Sequence, residues 1–286
     1  MSAKVLSTLK SIIELLKVNI KTIIQYWSLW WIVYVPNEIL SISLGLASWY
    51  FYTKFTTTNV EQYFAFLLIG MAFSPFLTDA IYLPYRNLLY LYSGTIASYG
   101  VRMTPWSFYY LSGRSRLETI VSTEVINYFF RVTLLLVYFF SGIFIFGLKL
   151  SSNANVLGAI ILFFLCYFAN LFLGLILSTS FWFFIYEPQA ATRNPLLWLF
   201  MTLPNLVAGV YYPIDVLPHE LRLIGRMFPV YYALEGIRKA LLFGYSLAEL
   251  FDYCEVLLIF ILILLPLGIF LFRFSERYAI IKARRI

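Results

Sequence analysis

The sequence predicts an all-α membrane protein with six transmembrane helices, an N-terminal amphipathic surface helix and short outer reentrant helices between spans five and six. Three observations carry that prediction. Hydrophobic residues make up 62% and charged residues 12% of the 286 positions, against about 25% charged in an ordinary soluble domain. Apolar runs near the length that crosses a bilayer, about 20 residues, recur between the charges. Lysine and arginine also fall unevenly on alternate sides of those runs, the pattern that keeps positive loops in the cytoplasm.

Residues 1–26 hold the surface helix and 27–286 the six-span domain. In the first segment Val5, Leu9, Ile12, Ile13, Leu16 and Ile20 recur at helical spacing while Lys4, Lys10, Glu14, Lys17 and Lys21 are interleaved. Such a charged, amphipathic segment lies in the membrane surface and does not cross it. No short apolar h-region precedes it, so no removable signal peptide is expected.

The first span, 27–52, contains one charge, Glu38, and is bracketed by Trp27, Trp30, Trp31 and by Trp49, Tyr50, Tyr52. Aromatic residues of this kind anchor helices at both interfaces. The second, 62–85, has Asp79 near its end, with Pro75 and Pro84 inside or flanking. The third runs roughly from 120 to 148 and carries Glu124 and Arg131 on its early turns. No charge occurs between Lys149 and Glu187, which puts the fourth within 156–184. The fifth lies between Arg193 and Asp215, and the sixth covers about 253–273. With the N-terminus inside, fourteen basic residues fall on the cytoplasmic side and six on the outer side. Both termini are therefore expected in the cytoplasm of a multi-pass cell-membrane protein. The net charge of +7 then reflects flanks facing anionic headgroups, and no nucleic-acid partner is needed to account for it.

Two polar segments are not spans. The inner loop of about 86–118 suits two short helices separated by a turn, with Thr104-Pro105 as a helix start. The outer segment of about 213–252 is too charged to cross and too apolar to be a free loop. Pro218 begins a helical stretch there, Pro229 interrupts it, and 231–243 resume with Glu235 near Arg238 and Lys239. Two short helices dipping into the outer leaflet fit this pattern, provided that their backbone breaks are buried or face a wet cavity.

The residues needed for most catalysis are missing. The chain has one histidine, His219, no HExxH or CxxC, and no GxxxxGK[ST] phosphate loop. Cys166 and Cys254 lie in or beside apolar runs and suggest neither a disulfide framework nor a metal cage. Glu124 and Arg131 share a helical face, and Asp79 could pair with Arg131 across two spans, or Arg131 with Glu124 beside it. A structural ion pair and a proton relay both remain open for these three. A relay would make the chain a secondary transporter, but the two similar halves common in such folds are not evident.

Residues 201–244 carry a longer pattern. A span ends in Gly209-x-x-Tyr212-Pro213, followed by Leu217-Pro218, then Pro229-x-Tyr231-Tyr232, then Arg238 in a short helix. This stretch resembles the C-terminal pattern of ABC-2 type transporter permeases. The surface helix, six spans and the inner Gly94-Thr95 and Thr104-Pro105 pairs extend the resemblance loosely over the whole chain. It implies that Gly94, Thr95, Thr104 and Pro105 belong to an inner loop that couples to an ATPase. Ala97 stands where the family often has an acidic residue. It also implies a second permease subunit, identical or paralogous, and separate ATPase subunits that hold ATP and magnesium; this chain binds no cofactor itself. The expected cargo is a lipophilic or amphiphilic molecule such as a drug, a lipid or a lipid-linked glycan. Tyr211, Tyr212, Pro213, Pro229, Tyr231 and Tyr232 are the candidates for the outer gate or pathway, or else members of the interfacial belt and subunit packing. Two other classes stay open: a non-transporting membrane sensor or factor with a permease fold, and a membrane-embedded lipid-modifying enzyme.

Overall fold

The structure is a computed structural model that describes residues 60–92, 95–96, 102–103, 135–145, 147–181 and 194–283, with positions 13, 14, 17 and 132. The expected first span and most of the surface helix lie outside the described residues, although Ile13, Glu14 and Lys17 are helical. The chain divides into two units, residues 1–51 with 90–141 and residues 52–89 with 142–286.

Helix α1 is Val60–Tyr92, with Pro75 and Pro84 both inside it. A proline in a helix interior removes one amide donor. Near Pro75, Thr78 Oγ1 donates back to the Ser74 carbonyl at 2.9 Å. The helix runs past the expected end at residue 85, so Arg86 stays on it and reaches Asp79 at 3.3 Å. Strands β1 (Thr95–Ile96) and β2 (Arg102–Met103) pair antiparallel, Thr95 opposite Met103. The first of the two short helices expected in the inner loop is thus the end of α1, followed by a β pairing. Thr95 and Ile96 are β-branched and suit extended backbone.

Helix α2 is a short apolar segment, Leu135–Phe144. Helix α3, Val156–Ser178, begins where Asn155 accepts a hydrogen bond from the Gly158 amide at 2.9 Å, an N-cap that satisfies one orphan donor. Helix α4, Pro195–Val207, begins at Asn194, whose side chain accepts from the Leu196 and Leu197 amides. It has 13 residues and rises only about 20 Å, shorter than the 193–215 interval suggested. A single 3₁₀ turn, Ile214–Val216, leads to α5 (His219–Arg226) and α6 (Pro229–Leu242). Pro229 occupies the first turn of α6, where its missing N–H costs nothing. Helix α7 is Phe251–Ala283.

Residue pairings give the directions of these helices. Along α1 and α3, Leu77 meets Asn170, Ile81 meets Gly174 and Tyr85 meets Phe181. The numbers rise together, so the two helices run parallel. Helices α3 and α7 are parallel as well, because Gly158 meets Leu250 and Phe172 meets Gly268. Helix α4 runs against α1: Asn194 hydrogen-bonds Tyr85, Asn205 accepts from Ser74, and Tyr211 accepts from Tyr63. Gly174 permits the α1–α3 approach, since a Cβ there would stand 2.2 Å from the Ile81 carbonyl oxygen.

Three of these helices, Tyr63–Leu89, Val156–Ser178 and Phe251–Ser275, are long and apolar enough to cross a membrane. Their surroundings differ. The α1 segment is 78% buried and the α7 segment 11%. Leu262, Ile263 and Phe270 on α7 are each more than half exposed. An apolar face of that length has no counterpart on a water-facing helix, and the chain is a membrane protein.

Candidate functional site

The segment after α4 is where regular structure stops and side chains take over its hydrogen bonds. Gly209 has φ +75°, a left-handed conformation that a side chain opposes, and it ends the helix. The next carbonyls have no helical partner, yet Ala208 and Val210 are buried. Each unpaired backbone group costs about 1–3 kcal/mol when buried, so donors must come from elsewhere. Tyr63 on α1 donates its hydroxyl to the Tyr211 carbonyl at 2.9 Å. Tyr212 turns back and donates to the Leu206 carbonyl at 2.5 Å.

Arg238 supplies the third donor. It lies on α6 and is only 3% exposed. Its Nη2 donates to Val210 O at 3.1 Å, while Nε and Nη2 both reach Phe66 O on α1 at 3.2 and 3.1 Å. The guanidinium carbon stands 3.4 Å above the centroid of the Phe66 ring, a stacking that Arg tolerates because its cation is planar and weakly hydrated. Gly70 makes room for all of this, because a Cβ there would fall 2.1 Å from Val210 O and 2.7 Å from Arg238 Nη2. One buried cation thereby joins α1, the unwound end of α4 and α6.

Helices α5 and α6 form a hairpin below that turn. A Cβ on Gly225 would lie 2.1 Å from Val207 O, so α5 packs backbone to backbone against the end of α4. At the tip, Phe228 meets the Phe200 ring edge to face at 6.1 Å. Partway back, Tyr232 meets Phe260 at 6.1 Å. The far end of α6 joins the start of α3, where the Ser151 and Asn155 amides donate to Leu241 O and Ala240 O at 3.1 and 2.9 Å. Gly244, at φ +71°, turns the chain so that the Tyr245 amide reaches Lys239 O.

Polar side chains follow one another along this hairpin toward the start of α7. Arg226 lies beside Tyr231, Glu235 faces Lys239 at 3.9 Å, and Lys239 Nζ donates to Tyr253 Oη at 2.6 Å.

The residues singled out in the sequence separate into three groups. Tyr211, Tyr212 and Pro213 share the unwound turn, with Pro213 opening the 3₁₀ turn. Pro229, Tyr231 and Tyr232 belong to the hairpin, the two tyrosine rings edge to face at 5.0 Å. Asp79 pairs with Arg86 on its own helix; Glu124 and Arg131 lie outside the described residues, as do Gly94, Thr104 and Pro105. Sequence reading missed Tyr63, Gly70 and the buried role of Arg238. The available signal for Arg238 was its position between Ile237 and the apolar Ala240-Leu241, out of step with an exposed face. Among the described residues no group of three or more potential ligands could hold a metal ion. Searches against protein-family models and curated proteins find no match.

Proposed function

We propose that the chain is the membrane-spanning permease subunit of an ATP-driven exporter of the ABC-2 type, with six spans and a re-entrant hairpin at α5–α6. The observation that carries this reading is the unwound end of α4, clamped by Arg238 and followed by a helical hairpin. Its Gly209, Tyr212-Pro213, Pro229 and Arg238 are the elements of the family pattern, and each has a distinct structural task. The parallel directions of α1, α3 and α7 support six crossings. Two parallel spans in a bilayer require a return between them, which falls to the third span around α2 and to the α4 segment. Between Asn194 and Tyr211 the chain follows α1 from Tyr85 to Tyr63, a rise of roughly 33 Å that matches a hydrocarbon core of about 30 Å. A span that finishes as irregular backbone must be satisfied inside the protein, and Tyr63, Tyr212 and Arg238 do so.

A permease of this kind carries no nucleotide site and works with separate ATPase subunits that hold ATP and magnesium. A second permease subunit completes the pathway. The amphiphilic or lipophilic cargo leaves by way of the hairpin, and the inner loop containing Gly94-Thr95 and Thr104-Pro105 takes up the ATPase stroke. The testing experiment is purification of the tagged chain from native membranes in mild detergent, with partners identified by mass spectrometry. A stoichiometric ATPase whose activity depends on this chain, and whose coupling is lost on deletion of residues 94–106, is the expected result. A chain recovered alone with no associated nucleotide hydrolysis overturns it and leaves the sensor and lipid-enzyme readings.

A further inference from the structure

The depth of the α5–α6 hairpin sets what its charges can face. Helix α6 has 14 residues and rises about 20 Å inward from its junction with the start of α3. Tyr232 lies beside Phe260, which is nine residues into α7, or roughly 14 Å from its start. Tyr232 therefore stands near the middle of a hydrocarbon core of about 30 Å, and Arg226 and Tyr231 beside it are at comparable depth. Arg226 is nevertheless exposed. An arginine facing lipid at the centre of a helix costs about 2.5–3.5 kcal/mol, whereas one facing a wet cavity avoids that cost.

The stripe continues outward from Arg226 and Tyr231 to Glu235 and Lys239, whose side chains are 34% and 29% exposed. Arg222, one turn before Arg226 on the same face of α5, has a buried Nε without a hydrogen bond. A donor left unpaired inside a protein calls for a further acceptor. Three cations and one carboxylate leave a positive balance, and arginine forks suit a phosphate or carboxylate.

We infer that Arg222, Arg226, Tyr231 and Lys239 line the outer half of a polar path and bind the anionic headgroup of an amphiphile, a phosphate being the best fit. The apolar tail has Met227 and Leu223, 72% and 52% exposed, beside the charges. This site rests on the permease reading for its place beside a pathway.

Its test uses the full chain in phosphatidylcholine nanodiscs with radiolabelled dodecyl phosphate as probe. Binding is expected to be saturable, to resist competition by dodecanol and by equimolar inorganic phosphate, and to weaken about tenfold or more in Arg226→Gln. Arg226→Lys should recover part of the loss. In an otherwise thiol-free background, Arg226→Cys is expected to react with a membrane-impermeant thiosulfonate added from outside. Unchanged affinity in Arg226→Gln, equal competition by dodecanol, or no labelling of Arg226→Cys overturns the assignment. Displacement by inorganic phosphate alone also overturns it, since the site then takes a free anion and not an amphiphile. The ATPase co-purification reports separately: a co-purifying ATPase with unchanged Arg226→Gln binding removes the site and leaves the permease, and the converse result leaves an anionic-lipid site on a different kind of membrane protein.

Discussion

The Arg238 guanidinium donates to the Val210 carbonyl at 3.1 Å, and that bond lets the apolar helix α4 end in irregular backbone while still buried. Its removal takes away charge-assisted hydrogen bonds and leaves an acceptor in an apolar interior. Arg238→Met should lower unfolding stability by about 3 kcal/mol, read as a shift in thermal or denaturant midpoint in detergent. Arg238→Lys should fall in between, because an ammonium lacks the planar fork that serves two carbonyls and stacks on Phe66. A wild-type midpoint in Arg238→Met would show that the clamp is not structural.

Gly70 tests the same junction from the other side. An added methyl meets Val210 O at 2.1 Å and Arg238 Nη2 at 2.7 Å, so either the turn or the arginine must move. Overpacking of this sort typically costs about 1–3 kcal/mol. Gly70→Ala is expected to lower the midpoint and to raise amide hydrogen exchange across residues 208–212. An effect on the midpoint without faster exchange there would locate the strain within α1.

How much of this was readable in advance depended on the distance over which each feature is decided. The spans at α3 and α7 were legible because their apolar runs are free of charge over bilayer length. The end of α1 was not, because Arg86 reads as a loop cation until its partner Asp79, seven residues earlier, is seen on the same helix. The breaks at Pro218 and Pro229 follow from local backbone chemistry and stood in the sequence, and the one at Gly209 came with the family pattern. The donors that make the Gly209 turn tolerable did not, since Tyr63 lies 148 positions from its acceptor. Arg238 was placed in the family pattern, and it and Lys239 both stood at neighbouring spacings from Glu235; Lys239 makes that pair, while Arg238 is buried. The stripe from Arg226 to Lys239 needed the depth of the hairpin, which no spacing encodes.

The entrance to α7 should respond to acid. Ser246 donates from both its amide and its hydroxyl to Glu249 Oε2 at 2.7 Å, half of a capping box. These bonds hold the Glu249 carboxyl below its ordinary value of 4.5. A depressed folded pKa contributes stability that is fully present above the ordinary value and is lost as pH falls through the folded one. Protection of the amides from Ser246 to Phe251, corrected for intrinsic exchange, should therefore be constant near neutrality and decline below the ordinary carboxylate range. Glu249→Ala should give the low-pH protection at every pH. A wild-type profile in that variant would remove the cap assignment.

The directions of the helices make a prediction about sides. Because α1, α3 and α7 are parallel, the starts of all three belong on one face of the membrane and their ends on the other. Single cysteines at Asn153 before α3 and at Leu247 before α7 should then react with the same externally added impermeant reagent, in a background with Cys166 and Cys254 replaced. Asp215, after the unwound end of α4, should join them, because that segment runs against α1 and finishes beside Tyr63. A cysteine at Arg277, toward the far end of α7, should react only after the inner side is opened. External labelling at Asn153 but not at Leu247 would mean that α3 and α7 do not cross in the same sense, and the six-span arrangement would fall with it. Labelling at Asn153 and Leu247 with protection at Asp215 would keep the three parallel spans and remove α4 as the returning one.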